Sequence, residues 1–592
     1  MTGFWGVRFQ LPSWVQGEVR RRVTALASGM VLAAASLLSS AAAQAQSFTW
    51  NGSVSSVYNV GGNWTPTTAP VAAGQSAIFG PTAASVDVIA GPITPSSWTF
   101  TTNAGFYSIS GAAVNFSLPG SGGGIINNAN TGQTISINNN IGESVAGVQV
   151  QVLGNSTLKL TGTNTYSGGT TVSGFGTLQV GNNNSVGSGT VTLQDGTFQA
   201  EGLSDLTFAN NFRINSTAGG SFIDAHSVVL TITGNITDGS GGAGMLTVRD
   251  TIGGGVVILT GTNTYSGGTT ICVCGTLQLG DATHTGSIVG AVINEGQFNI
   301  VNANTAGITK ITNDGGLTSF FGSNTAGTAT IVNDLGETGF FNNSTAGSAN
   351  ITNRGGGATL FGTPGGTDTS TAGNATIDNG GGSATIFNAS TNAGTAQITN
   401  HNFGITDFGD SSSAGSATIV NNFHGITNFG HSGGTDTVTA ANAMITNNSG
   451  GETIFNAFST AGNAIITTNS GGATFFFDNS TGGSAQFITN GTGFVDFSGS
   501  LGPNGDGRIA AGSIAGSGFY YIGAGNTLIV GSNNLSTEVS GVIADTCGCG
   551  PGGPGALTKV GTGTLTLSGI NTYTGPTVVD GGILSVNGSI AS

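Results

Sequence analysis

The stretch Ser344-Thr345-Ala346-Gly347-Ser348-Ala349-Asn350-Ile351-Thr352-Asn353-Arg354-Gly355-Gly356-Gly357-Ala358-Thr359-Leu360-Phe361 decides the fold. From Ala349 to Asn353 small or apolar side chains alternate with polar ones, the two-residue period of a half-buried strand. No 3.6-residue period runs through it. The pattern recurs nine times between residues 304 and 498, anchored on Ile311, Ile331, Ile351, Ile377, Ile398, Ile419, Ile445, Ile466 and Phe487. Ten residues beyond each anchor stands a phenylalanine: Phe321, Phe341, Phe361, Phe387, Phe408, Phe429, Phe455, Phe476 and Phe497. The return to the next anchor varies between 10 and 16 residues. A constant interval reads as two strands locked in register, and a variable one as a surface loop. Each unit of 20–22 residues is therefore expected to form one coil of a parallel β-solenoid. A coil cannot bury its own apolar face, so it is stabilised by stacking at about 4.8 Å. The fold class is all-β, a β-helix rod.

A second column accompanies the anchors. Asparagine follows two residues later in seven copies, at Asn313, Asn333, Asn353, Asn379, Asn400, Asn421 and Asn447. Asparagine tolerates a left-handed corner and hydrogen-bonds to stacked copies of itself. The two long returns share an insert, Gly365-Gly366-Thr367-Asp368-Thr369 and Gly433-Gly434-Thr435-Asp436-Thr437. Both are expected to protrude from one edge, which makes Asp368 and Asp436 the candidate binding residues. A calcium site needs six to eight oxygens, and one aspartate per loop is too few. Two solvated turns left by duplication are the simpler reading.

Three segments outside the array share another motif. They are Leu158-Lys159-Leu160-Thr161-Gly162-Thr163-Asn164-Thr165-Tyr166-Ser167-Gly168-Gly169-Thr170-Thr171-Val172, Ile258-Leu259-Thr260-Gly261-Thr262-Asn263-Thr264-Tyr265-Ser266-Gly267-Gly268-Thr269-Thr270, and residues 557–588 with Gly569-Ile570-Asn571-Thr572-Tyr573-Thr574-Gly575-Pro576-Thr577. Each reads as strand, turn and strand, with the tyrosine ring covering a coil edge and its hydroxyl in water. These segments closely resemble the autotransporter-associated β-strand repeat of Gram-negative type V secretion passengers. Trp50-Asn51-Gly52, Gly62-Asn63-Trp64 and Ala77-Ile78-Phe79 resemble the start of such a passenger. The resemblance implies a right-handed β-helix on the cell surface, with surface or host glycans or proteins as partners. It also implies a C-terminal outer-membrane barrel. No alternating barrel strands follow Val586, so the translocator is expected to lie outside this chain, which would be a fragment or a truncated product.

Residues 1–45 read as a secretory signal. Arg20, Arg21 and Arg22 precede an apolar run, and Ala43-Gln44-Ala45 supplies a small-x-small cleavage site between Ala45 and Gln46. A retained membrane helix is the rival reading. The remainder divides into residues 46–303, the nine-copy array 304–498, and coils 499–592. The chain has 592 residues, 106 of them glycine, and only 6% are charged. Before Gln46 lie four of the 11 cations and one of the 26 acids; the rest of the chain therefore has seven cations and 25 acids, a net charge of −18. Phosphate neutralisation needs clustered Lys and Arg, so nucleic acid is not an expected partner.

Catalytic signals are weak. Gly430-His431-Ser432-Gly433-Gly434 spells a nucleophile elbow, but no helix follows it, and Pro364 replaces Ser432 in the first insert. Polysaccharide-cleaving β-helices need clustered carboxylates, and the acids here are scattered. The histidines His226, His284, His401, His424 and His431 are spread along the chain. Cys272 and Cys274, like Cys547 and Cys549, form Cys-x-Cys pairs, each read either as a local disulfide or as a small apolar pair on one strand face. No catalytic residue, metal or cofactor is expected. The expected role is a surface stalk or adhesin-like interaction protein, with a carbohydrate-active β-helix enzyme or a truncated, non-functional autotransporter as the alternatives.

Overall fold

The computed structural model describes residues 45–89, 91–130, 132–215, 220–546 and 553–591. The expected signal segment up to residue 44, Cys547 and Cys549 lie outside them. The protein is a β-solenoid of about 24 stacked coils. Three sides repeat in the same order along the chain. Sheet I is a series of 23 parallel strands from Ala84–Val88 to Ile583–Val586. At about 4.8 Å per strand it is about 105 Å long. Sheet II is a 16-stranded series from Leu206–Phe208 to Val542–Ala544. Side III is a ten-stranded sheet over residues 46–238 and a four-stranded one over 508–579. Within the repeat array side III narrows to single bridging residues, Thr325, Thr345, Thr371, Asn392, Ser413, Thr439, Thr460 and Thr481.

The array's registers place like on like. Ile331 pairs with Ile351 and Ile351 with Ile377. The asparagine column is continuous and buried. Each Nδ2 donates to the Oδ1 of the next asparagine, from Asn294 through Asn447, at 2.7–3.0 Å. Each Oδ1 from Asn313 onward also accepts the hydroxyl of a threonine on the facing strand of sheet II, for example Thr385 to Asn379 at 2.9 Å. These asparagines lie in strand backbone and not at left-handed corners. Every polar atom of the rung is thereby satisfied inside the core, which makes its burial tolerable.

The phenylalanine column corrects the ten-residue ruler. The stacked rings are Phe320, Phe340, Phe361, Phe387, Phe408, Phe429, Phe455, Phe476 and Phe497, with centroids 4.6–5.0 Å apart. Phe321 and Phe341 instead lie outside and stack only on each other at 5.5 Å. In those two coils five residues separate the ladder asparagine from its threonine, as in Asn313 and Thr318, against six in Asn353 and Thr359. Strand alternation then turns the first phenylalanine of each Phe-Phe pair inward. In this frame the return from the inner phenylalanine to the next anchor is 11 or 16 residues throughout.

The Ser-Thr-Ala-Gly segment makes the third corner. Thr345 Oγ accepts the amide of Gly347 at 3.0 Å, and Gly347 has φ +64°, a conformation suited to glycine. Ala346 and Ala349 are fully buried, where a larger side chain has no room.

The three recurrent Asn-Thr-Tyr turns share one device. Asn263 Oδ1 accepts the amide of Ile236 in the coil before, and its Nδ2 donates to Ser287 O in the coil after. Asn164 does the same with Ile141 and Ser185, and Asn571 with Ile543 and Ser589. The tyrosines are buried, not wet at the hydroxyl as the sequence suggested. Tyr166, Tyr265 and Tyr573 pair with the threonine four residues on, at 2.6–2.7 Å. Desolvation pushes all three phenols above their ordinary range.

At the N-terminal end Trp64–Thr65 lies antiparallel on Gln46–Trp50, with Trp50 opposite Trp64. Tyr58 and Trp98 complete an aromatic cluster in which Trp64 Nε1 donates to Tyr58 O. This short strand covers an edge that would otherwise template pairing with another chain.

Three substitutions test the columns. Asn379→Ala strands the Asn353 amide and is expected to cost about 1–3 kcal/mol. Phe408→Ala opens a cavity in a continuous stack and is expected to cost about 3–5 kcal/mol, whereas Phe341→Ala, on the outside, changes stability far less. Chemical denaturation of the three variants checks the order; a Phe341 variant as damaged as the Phe408 variant would contradict the inner column described above.

Candidate functional site

Sequence reading nominated the inserts, and the structure turns their aspartates inward. Asp368 is buried; its Oδ1 accepts the amide of Asn342, and its Oδ2 accepts the amide and hydroxyl of Thr363. Burial alone would raise its pKa, but these donors outweigh burial and hold it below the usual carboxylate range. Asp436 accepts the amides of Asp410 and His431 at 2.7 and 2.8 Å and is likewise held low against its burial. Each insert also donates one amide to an aspartate two turns further on, Gly365 to Asp410 and Gly433 to Asp478. The carboxylates therefore organise the loops. Their oxygens face N–H donors, which suit an anion and not a cation.

The two inserts differ at two adjacent positions, 363/431 and 364/432. His431 stands where the first has Thr363. Its Nδ1 lies 2.9 Å from Asp436 Oδ2 and its Nε2 3.2 Å from Asp407 Oδ2. The loop is thereby clasped onto the outer face of sheet II. Both ring nitrogens are engaged by carboxylates, so His431 cannot serve Ser432 as a base. Burial would lower the His431 pKa, but Asp436 and Asp407 together raise it. Burial raises that of Asp407 despite His431, and Asp407 Oδ1 is enclosed without a hydrogen-bond partner.

The remaining candidates stay apart. His226 contacts Thr251, His284 contacts Asp281, His401 contacts Asp378, and His424 stacks on Phe403 with centroids 4.6 Å apart. Among the described residues no three His, Cys, Asp or Glu side chains are grouped to hold a metal ion. Cys272 and Cys274 lie in a corner turn after the strand Thr269–Ile271, not on a strand face. Both are free thiols, Cys272 half-buried and Cys274 exposed, so the apolar-pair reading fails for Cys274. Desolvation, then the neighbouring Cys274, pushes the Cys272 thiol up.

What the sequence reading missed is the outer face of sheet II. Its inward residues are the threonines and phenylalanines of the core. Its outward residues include Leu360, Ile386, Ile405, Ile426, Ile454, Phe475, Phe494, Phe519 and Tyr521, all half-buried. Sheet I presents mostly Thr, Val, Asn and Gln over the same coils. The signal was the first and third residues of each x-Thr-x-Phe strand, which the phenylalanine ruler left unread. Near Phe475 the aromatic rings meet: Phe475 and Phe494 centroids are 5.4 Å apart, and Phe494 and Tyr521 5.7 Å. Exposed apolar patches of this kind mark interaction surfaces. Among the described residues no helix is long and apolar enough to cross a membrane.

Comparison with known proteins adds three findings. Residues 152–180, 252–271 and 557–586 match the passenger-associated-transport repeat, at the three Asn-Thr-Tyr turns. A 78-residue stretch is 41% identical to the adhesin BmaC autotransporter of Brucella suis biovar 1 (strain 1330) and covers 12% of this chain and 2% of that protein. No solved structure matches. The repeats and the partial match support a passenger region of an autotransporter.

The clasp and the thiols make two predictions. His431 has a raised pKa, so its contribution is full below 6.5 and is lost as pH rises through the higher folded value. Asp436 is lowered below 3.8, so its contribution survives until strongly acid pH. Amide exchange at Gly433 and Gly434, corrected for intrinsic rate, should therefore quicken between pH 6 and pH 9, and His431→Gln should remove that step. In reduced protein, iodoacetamide should label Cys274 before Cys272; mass spectrometry reads the order.

Proposed function

We propose that this chain is an exported passenger rod whose lateral faces bind surfaces, an adhesin-like role without turnover. The observation that carries the reading is the placement of the passenger-associated repeats. Their Asn-Thr-Tyr turns tie successive coils inside one continuous solenoid, and so build a stiff spacer about 105 Å long. Such a spacer holds an apolar outer face away from its point of attachment and presents it repeatedly, which suits many weak contacts acting together. The partially matching relative is named an adhesin autotransporter, in keeping with this role. Export through a secretory signal, with cleavage between Ala45 and Gln46, belongs to the same proposal.

Residues 1–592 fused ahead of an autotransporter translocator barrel test it. The rod is expected to become accessible to external protease on intact cells and to raise their attachment to host-cell monolayers several-fold over the barrel alone. Surface-exposed rod with no gain in attachment would overturn the adhesive role. Failure of the rod to reach the surface while a known passenger does so would overturn the passenger reading.

A further inference from the structure

We infer that the outer face of sheet II over residues 473–521 is a recognition site for cationic side chains, and that its partner is a basic polypeptide segment. Three successive strands, Ala473–Asp478, Phe494–Ser500 and Phe519–Tyr521, build it. Their registers place Phe475, Asp496 and Tyr521 in one outward row, and Ala473, Phe494 and Phe519 in the adjacent row. The carboxylate of Asp496 thus stands between two aromatic side chains in its own row and beside two more in the next. Phe475 and Phe494 meet edge to face, Phe519 and Tyr521 are nearly parallel with centroids 6.2 Å apart, and Phe477 extends the patch while 39% exposed. Aromatic faces around one carboxylate attract an ammonium or guanidinium group by both ring quadrupole and charge.

Charge complementarity selects the occupant. Residues 46–592 hold 25 acids against seven cations. Of those cations Lys159, Arg249 and Arg354 are in ion pairs, and Lys559 is buried against backbone carbonyls. The rod therefore has little basic surface of its own to satisfy this patch. A second copy laid on the same face would oppose Asp496 with acids of that face, among them Asp407 and Glu452. Lysine or arginine from a basic partner satisfies both the carboxylate and the rings, and the partner's apolar neighbours can follow Ile454 in the Asp496 row and Ile426 and Ile405 in the adjacent row along the rod.

This proposal names a partner class for the binding role above and rests on it, but its test needs no cells. Purified residues 46–592 are titrated with a lysine-rich hexapeptide and with the same peptide acetylated on every lysine, which removes the charge. The unmodified peptide is expected to bind at least tenfold more tightly. Asp496→Asn, which keeps volume, and Phe494→Leu, which keeps an apolar side chain without the ring, should each weaken it about tenfold, a loss within reach of one carboxylate or one ring. Asp378→Asn, on sheet I, should leave binding unchanged. Thermal melts of all variants confirm that the rod is intact. Equal losses for Asp378→Asn and Asp496→Asn would reduce the effect to general attraction by an acidic rod and overturn the site. Binding of the acetylated peptide, or of phosphatidylcholine vesicles, as tightly as the basic peptide would overturn the basic-polypeptide partner. Either result leaves the cell-attachment test standing, and failure of attachment alone leaves the patch standing.

Discussion

One buried side-chain amide per coil, in seven of the nine copies, carries the register of the repeat array. An asparagine amide has a donor side and an acceptor side, so stacked copies bond only when each lies directly over the last. Slippage by one residue would leave a polar rung facing outward and an unpaired amide or hydroxyl inside, the costly alternative for a buried polar group. The facing threonine closes the rung: Asn379 Oδ1 accepts both Asn353 Nδ2 and Thr385 Oγ. With the rung set, the phenylalanine stack and the isoleucine column follow, because all three share strands of fixed alternation.

In-register stacking also accounts for the scarcity of charge. A charged residue repeated in every coil would face its own copy about 4.8 Å away, at a cost of roughly 1–3 kcal/mol per rung. The outward rows are accordingly mostly threonine, valine, asparagine and glutamine on sheet I, and largely aliphatic or aromatic on sheet II. Several acids occur where a donor is at hand. Asp334 meets Arg354, and Asp224 is enclosed by Arg249, Gln199, Thr251 and the amide of His226. Asp368, Asp410, Asp436 and Asp478 each accept loop amides along one edge. Low charge is thus a condition of the fold before it is a property of the surface.

The passenger-associated turns solve the same problem with other residues. They lie between different pairs of sides in different copies, so they are not tied to one face. Their buried asparagine joins the coil before to the coil after, and their tyrosine is locked to a threonine. Such coil-to-coil joints permit a long rod without a globular core, since each coil depends only on its neighbours.

The coil length, the parallel stacking, the asparagine ladder and the special turns were legible in the sequence because each is a local pattern repeated at a fixed interval. The frame of the first two phenylalanines was not. Phe320 and Phe321 are chemically identical, and only a turn one residue shorter, read through strand alternation, sends Phe320 inward. Asp368 and Asp436 were legible as loop residues but not as loop anchors, since the amide that each Oδ1 accepts comes from Asn342 or Asp410, one coil back in the stack. The aromatic patch around Asp496 was hidden for a related reason. Phe475, Phe494 and Tyr521 are separated by 19 and 27 residues in the chain and become neighbours only when coils stack. A solenoid's sequence states what each coil contains; the stacking of unlike coils decides which side chains meet on the outside.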